Sequence, residues 1–254
     1  MEIFVASVWG LIVGSFLNVV IHRLPKVVMG NPEASMEYLL WPSSTAPCCN
    51  SKLSWYENIP VLSWIFLRGR CGHCGCPITP RYIIVELLTA AAFAWSAWQF
   101  ELGYVGILYA LFFSLAICLF FIDLETYLLP DHLTLAMLWL GLIGSSFGYL
   151  PVTPTDAIWG ACLGDALPWS INRLYFLFRQ HDGFGGGDFK LLAALGVWTG
   201  WVNIVPILCG ASIIGLLMVG FAAAAKRENL SLNKAFPFGP FLILSGLGFI
   251  VSKL

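Results

Sequence analysis

Asp123 stands at the end of an apolar run, in Phe121-Ile122-Asp123-Leu124-Glu125, and Asp188 opens another directly after Gly183-Phe184-Gly185-Gly186-Gly187. Ionisable groups beside segments this apolar are costly, so each calls for a reason. Two carboxyl groups brought close cannot both ionise easily; they hold one proton between them, and one can act as base while the other acts as acid. That suits activation of a water against a peptide carbonyl. Gly185, Gly186 and Gly187 would form an active-site loop whose irregular backbone can come near an extended substrate strand, provided it lines a protein or water cavity. Taken alone, the Gly-x-Gly-Asp string also fits a helix N-cap aspartate after a turn.

The remaining carboxylates have plainer readings. Asp131 follows Leu129-Pro130 and precedes an apolar run, which suits N-capping. Glu125 and Asp182 read as solvated loop charges, and Glu86 as facing Arg81 or the loop that precedes it. Asp165 lies inside an apolar run with Arg173 two turns on, which predicts a buried polar contact; a substrate or proton path is the sharper alternative.

A second chemistry lies in the cysteines. Ala46-Pro47-Cys48-Cys49 is followed, after a spacer, by Cys71-Gly72-His73-Cys74-Gly75-Cys76. Cys-x-x-Cys presents two thiolates to one ion, and a second donor group about 15–20 residues away is usual for a structural zinc site. Basic residues place this segment in a reducing cytoplasm, where thiolate ligation is more plausible than disulfides. Reduced, unliganded thiols are the alternative. Cys118, Cys162 and Cys209, inside apolar runs, read as small core hydrophobes.

The elements that must position these groups are membrane helices. Of the 254 residues, 59% are hydrophobic and 11% charged, against roughly 25% charged in an ordinary soluble domain, and the mean hydropathy is +0.82. The formal net charge of −1 offers no basic field for a nucleic-acid partner, so membrane lipid is the expected surroundings and no nucleic acid is expected. Apolar runs at Phe4–Ile21, Tyr82–Phe100, Tyr104–Ile122, His132–Leu150, Ala157–Phe178, Phe189–Trp201, Val202–Ala225 and Phe238–Val251 predict an all-α polytopic membrane protein of about eight transmembrane helices. Thr199, Gly200 and Asn203 predict a tight hairpin between the sixth and seventh. Under strict alternation Arg23, Lys26, Lys52, Arg68, Arg70 and Arg81 between the first two helices, Arg173, Arg179 and Lys190 flanking the fifth loop, and Lys226, Arg227 and Lys234 in the last loop all fall on one face, the cytoplasmic one. Asp123 and Asp188 then both stand at its edge. The expected division is a first helix over 1–22, a cytoplasmic cysteine-rich segment over 23–81 and a membrane-embedded domain over 82–254.

At this point the residues resemble the type IV prepilin peptidases, bifunctional enzymes of the bacterial inner membrane. Five strings carry the resemblance: Gly14-Ser15-Phe16-Leu17-Asn18 through Pro25; Leu53-Ser54-Trp55-Tyr56-Glu57-Asn58 through Trp64; Leu67-Arg68-Gly69-Arg70-Cys71 through Cys74, with Arg81-Tyr82 and Val85-Glu86 after it; Asp123, then Leu129-Pro130-Asp131-His132-Leu133-Thr134-Leu135; and Gly185-Gly186-Gly187-Asp188-Phe189-Lys190-Leu191-Leu192. They touch nearly the whole chain in the family's order. The resemblance implies cleavage of the short basic leader of prepilins or pseudopilins after a glycine, with Asp123 and Asp188 catalytic. It also implies N-methylation of the new N-terminal residue, usually phenylalanine, from S-adenosylmethionine, with the cysteine segment linked to zinc and to methylation. Cys49, Cys71 and Cys74 match the family's ligands. Ala46 stands where the family pattern Cys-Pro-x-Cys has its first cysteine, leaving Cys48, His73 or Cys76 to supply a fourth donor only through a rearranged loop; Cys48, nearest in sequence and flanked by the turn-forming Pro47 and Asn50, is the expected one, giving one zinc on Cys48, Cys49, Cys71 and Cys74. Two rival functions use the same residues: an ion or proton transporter built on Asp123, Asp165 and Asp188, and a scaffold that binds pilin subunits without cutting them.

Overall fold

Helices account for most of the chain because the apolar runs satisfy every backbone group internally, as a bilayer requires. In the computed structural model, the residues described are 1–30, 45–46, 48–180, 185–226 and 236–253. The helices are α1 (Glu2–Val28), α2 (Leu62–Phe66), α3 (Arg81–Phe100), α4 (Tyr104–Thr126), α5 (Asp131–Ser146), α6 (Pro154–Arg179), α7 (Gly186–Thr199), α8 (Ile204–Lys226) and α9 (Gly239–Ser252), with 3-10 turns at Trp55–Asn58 and Trp201–Asn203. Pro47, Asp182, Gly183, Phe184, Arg227 and Lys234, which entered the reading above, lie outside the described residues. Among the described residues there are also two isolated β-bridges, Thr45 with Lys52 and Arg70 with Pro77.

Among the described residues, four stretches are long and apolar enough to cross a membrane: Glu2–Val28, Arg81–Phe100, Tyr104–Thr126 and Trp201–Phe221; Gly239–Ser252 is apolar but shorter. Among the rest, α5 and α7 have 16 and 14 residues, short of the roughly 20 that a full crossing takes. By length and apolarity alone, four of the eight expected spans qualify among the described residues. The first helix also runs seven residues beyond its expected end at Ile21. It holds Pro25 internally, whose carbonyl accepts from the Met29 N–H at 2.9 Å, and Lys26 and His22, one turn apart, meet at 2.9 Å.

The chain divides into two compact units, residues 1–118 and 119–254. In the first, α1 packs on α3 through Gly10 and Gly14. A Cβ at Gly10 would stand 2.6 Å from the Ala90 Cα, and one at Gly14 would stand 2.7 Å from the Glu86 Cα. Lipid supplies no hydrophobic drive between helices, so close backbone approach at small residues four apart is what holds such a pair.

The second unit is arranged around α7, whose residues Leu191 to Thr199 are all buried. A helix apolar on every side must be wrapped on every side. Gly160 and Gly164 of α6 supply one wall: a Cβ at Gly164 would come within 2.6 Å of the Ala193 Cα, and one at Gly160 would collide with the Gly196 backbone. On another side the Trp198 indole donates to the Met137 carbonyl of α5 at 3.0 Å. Leu195 faces Gly246 of α9. The expected hairpin is present: α7 stops at Gly200, whose φ of +81° excludes most side chains. The last carbonyl, of Thr199, takes bonds from Asn203 Nδ2 at 2.6 Å and Lys253 Nζ at 2.7 Å.

Replacing Gly160 by Val should destabilise the α6–α7 contact by about 3 kcal/mol, because backbone on both sides cannot yield as a side chain can. Thermal unfolding of the purified protein in detergent, Gly160→Val against wild type, reads this as a lower midpoint.

Candidate active site and cysteine centre

Asp123 occupies the last turn of α4 and is 4% exposed. Its carboxylate is not left alone, since Oδ2 accepts the backbone N–H of Gly239 at 3.0 Å in a buried bond. Gly239 is the first residue of α9, where N–H groups have no partner within the helix and the helix dipole favours negative charge. A Cβ at Gly239 would stand 2.7 Å from that same oxygen, so only glycine admits the carboxylate so closely. The sequence reading did not single out Phe238-Gly239-Pro240. Proline just inside a helix start, directly after a glycine, was the available signal.

Asp188 stands in the first turn of α7, three residues after the N-cap Gly185. Its carboxylate takes a hydrogen bond from the Gly185 backbone N–H, and the charge of Asp123 acts on it. The plain reading is thus realised in part, because a carboxylate reaching back to the N-cap N–H is what a capping acid does. Capping and proximity to Asp123 hold for the same side chain. Leu129 ties the two helix starts together. A Cβ at Gly187 would lie 2.8 Å from the Leu129 Cβ, and one at Gly239 would lie 3.2 Å from the Leu129 Cδ2. Gly186 is exposed and faces open space. Of the three glycines, Gly187 is required by contact, while Gly185 and Gly186 leave backbone uncovered beside Asp188.

Asp131 departs from its expected role. Pro130 occupies the N-cap of α5 and makes no side-chain cap bond. Asp131 instead accepts from Lys190 Nζ with both oxygens at 2.7 Å. The pair is about half exposed and so worth about 0–1 kcal/mol. Its effect is positional, since it links the residue after Leu129-Pro130 to a residue two beyond Asp188. Asp165 is exposed on α6 and Arg173 lies over the Phe176 ring at 5.7 Å, so the expected buried contact is replaced by a cation–π one. Glu125 is exposed, as expected, but in the last turn of α4 rather than in a loop. Glu86 accepts the Val61 N–H at 2.8 Å, which is the loop contact foreseen for it.

The cysteines form a second centre in the first unit. Two hairpins carry them, and their backbones repeat one pattern. In the second, Cys71 N–H bonds to the Cys76 carbonyl and Gly75 N–H to the Cys71 carbonyl, with Gly75 at φ +70°; in the first, Ala46 N–H bonds to the Ser51 carbonyl and Asn50 N–H to the Ala46 carbonyl, with Asn50 at φ +55°. Superposing the patterns equates Cys49 with Cys74, Ser51 with Cys76 and Ala46 with Cys71. Ala46, 1% exposed, therefore fills the place of the missing thiolate. Cys48 makes up the number: ligand atoms of Cys48, Cys49, Cys71 and Cys74 all lie within 4.8 Å of one another. A tetrahedral ion with bonds of about 2.3 Å to four sulfurs holds them about 3.8 Å apart. The Cys48–Cys74 and Cys49–Cys71 separations are 3.1 and 3.9 Å, so the donor set fits a thiophilic metal. Of the other two candidates for a fourth donor, His73 lies 3.5 Å from Glu57, and Cys76 stands outside the four. Away from this centre Cys118 is buried, as expected, whereas Cys162 and Cys209 are exposed on α6 and α8.

Residues 8–100 match the bacterial peptidase A24 N-terminal domain, and residues 110–220 match the type IV leader peptidase family. A prepilin leader peptidase/N-methyltransferase of Aeromonas hydrophila is 42% identical to this chain, over 94% of it and 86% of the relative. Enzymes of the same description from Dichelobacter nodosus and Pseudomonas aeruginosa are each 39% identical, over 96% and 93% of the chain and 89% and 86% of their own lengths. No solved structure matches the chain.

Hydrogen bonds within the hairpins set the four exposed thiols apart. The Cys76 backbone N–H lowers the pKa of Cys74, and the Ser51 hydroxyl lowers that of Cys49; hydrogen bonding to Cys74 raises both Cys48 and Cys76. A lowered value means more thiolate at neutral pH, and thiolate is the reactive form. In chelator-treated protein at pH 7, iodoacetamide should therefore alkylate Cys49 and Cys74 several-fold faster than Cys48 and Cys76, with the gap closing as pH rises. Peptide mapping by mass spectrometry over a time course measures it.

Proposed function

This chain belongs to the type IV leader peptidase family, and on that premise we propose that Asp123 and Asp188 are the catalytic pair of a prepilin-processing aspartyl protease. It is an enzyme with peptidase and methyltransferase activity. The single observation that carries the catalytic assignment is the pairing of two carboxylates from α4 and α7, far apart in sequence. Each accepts a backbone N–H at the start of a helix, and the charge of Asp123 acts on Asp188.

In this reading the ionised member takes a proton from water as the oxygen attacks the scissile carbonyl, and the protonated member donates to the carbonyl oxygen. Collapse of the tetrahedral intermediate breaks the C–N bond, and the proton first taken from water passes to the leaving amine. Gly185 and Gly186 offer uncovered backbone to which an extended leader can add. The substrates are prepilins or pseudopilins, cut at the cytoplasmic face of the bacterial inner membrane after the basic leader. Eight crossings, including the shorter helices, would put Asp123 and Asp188 at that face.

The new N-terminal residue is then N-methylated, a function assigned to residues 23–81 and the cysteine centre. S-adenosylmethionine, which the methyltransferase activity implies, supplies the methyl group when bound. Zinc, held by Cys48, Cys49, Cys71 and Cys74, would hold the two hairpins together in a segment too small to build a core of its own.

Asp123→Asn and Asp188→Asn should each lower cleavage of a leader-bearing prepilin peptide by roughly 10³-fold or more, since neither half of a shared-proton pair works alone. The replacements are nearly isosteric, so the fold should survive. Gly239→Ala should lower cleavage as well, by crowding Asp123. Mass spectrometry of the peptide reads cleavage and methylation together; substantial residual cleavage by a folded Asn variant would leave a transporter or a pilin-binding scaffold as the better account.

Purified protein should carry one zinc per chain. Cys71→Ser or Cys74→Ser should remove it and weaken methylation more than cleavage. Cys48→Ser should loosen it, and adding Ala46→Cys to Cys48→Ser should restore it, because position 46 repeats the backbone setting of Cys71. Elemental analysis of each variant decides this, and a metal-free wild type that still methylates would show the four to be ordinary thiols.

A further inference from the structure

Beside the cysteine hairpins, within the first unit, lies a cavity of about 320 Å³, at the small end of the range for small-molecule sites. Its walls are the C-terminal half of α1, the start of α3 and the segment between them. Two of its lining groups are incomplete. Asn18 is 4% exposed; its Nδ2 donates to the Tyr82 carbonyl at 3.0 Å, but its Oδ1 is buried without a partner. The indole N–H of Trp64 is likewise buried without one. Buried polar atoms in native proteins are nearly always satisfied, so an acceptor and a donor left open on one cavity point to a ligand with both.

Charge narrows the ligand's chemistry. Glu86, 8% exposed, lines the cavity and accepts the Val61 N–H at 2.8 Å. Glu57, its side chain 5% exposed, lines it too and accepts the Ser54 N–H at 2.8 Å. His73, 3.5 Å from Glu57, does not line the cavity, and on the cavity side two sequestered carboxylates favour a cation. Along α1 the lining carries His22, Arg23 and Lys26, which suit an anionic group. The setting is built rather than incidental. A Cβ at Gly72 would stand 2.5 Å from Glu57 Oε1, so glycine is what lets that carboxylate lie under the hairpin. Val61 is held at φ +60°, a strained conformation for a β-branched residue that the surrounding contacts must maintain.

A ligand with a cationic centre, a carboxylate and a flat heterocycle bearing donors and acceptors matches all of these walls. We infer that this cavity is the methyl-donor site, with Glu57 and Glu86 facing the sulfonium and ammonium of S-adenosylmethionine, Asn18 and Trp64 completing the adenosyl hydrogen bonds, and the basic end of α1 taking the carboxylate. The inference rests on the methyltransferase reading above. It also explains how the metal centre bears on methylation, because Ala46 and Asn50 of one hairpin and Cys71 and Gly72 of the other line the same cavity. Removing the ion would loosen a wall of the donor site.

Equilibrium binding of radiolabelled S-adenosylmethionine and of S-adenosylhomocysteine, its neutral thioether product, to the full-length protein in detergent tests this. Glu86→Gln keeps the acceptor for Val61 and removes the charge. It should weaken S-adenosylmethionine roughly tenfold or more and the thioether much less, since only the former carries the sulfonium. Trp64→Phe should weaken both alike, and Val19→Trp, which fills the cavity, should abolish both. An azido-adenosyl analogue photolysed on the wild type should label peptides within 15–26, 45–72 or 78–86, which holds even if a variant fails to fold. Labelling confined to 119–254, or undiminished binding by all three variants, would overturn the inference while the wild type still binds and methylates. A wild type that neither binds the donor nor methylates would overturn the methyltransferase reading, and this site with it.

Discussion

A carboxylate held in an apolar helix bundle must find a donor, and in the second unit nearly everything around Asp123 follows from that need. The donor is a backbone N–H at the start of α9, where the helix cannot use it itself. Reaching it brings the carboxylate so near the main chain that position 239 admits no side chain, and the same crowding, through Leu129, excludes one at 187. The start of α7 is thereby drawn in with Asp188 on it. Farther along, α7 is held where its backbone meets that of α6 at Gly160 and Gly164. A helix buried on every side has little freedom to shift, so the carboxylate at its start inherits a fixed place.

The first unit solves a different problem with the same economy of small residues. Its segment between α1 and α3 is too small to build a core of its own and leaves Trp55, Leu62, Ile65 and Phe66 exposed, and it places two similar hairpins with their sulfurs converging. The repeat makes the substitution at 46 intelligible. Backbone hydrogen bonds define the turn, so the position survives the loss of its thiol, while the neighbouring turn residue Cys48 brings a sulfur to within 3.1 Å of Cys74. Buried Glu57 and Glu86 fasten the segment to itself and to α3 through backbone N–H groups. On the inferred donor site, the connection between the cysteines and methylation is a matter of shared walls.

Much of this was legible in particular residues. The hairpin at Gly200 follows from a polar turn inside an apolar stretch too long for one helix, and the importance of Asp123 and Asp188 from the cost of a charge beside such stretches. Helix limits were less legible. The first helix holds Pro25 because the residues around it continue to pair, and nothing local announces that. Asp131 read as a cap since its neighbours are those of a cap; Lys190, its real partner, is 59 residues away in sequence. The Gly10/Gly14 and Gly160/Gly164 spacings were visible as small residues four apart, yet their partners Ala90, Ala193 and Gly196 were not.

By itself the sequence determined the membrane class, the helical content, the two aspartates and the group of cysteines, because each of these rests on residue type and on spacing within one segment. Tertiary structure alone decided that Gly239 is the donor to Asp123, that Lys190 rather than a helix start engages Asp131, and that Asn18, Glu57, Trp64 and Glu86 share one cavity. These are meetings between segments dozens of residues apart. The backbone groups that arrange them, an N–H at a helix start or a turn with positive φ, are present at every position of every chain, and only folding shows which are left to act.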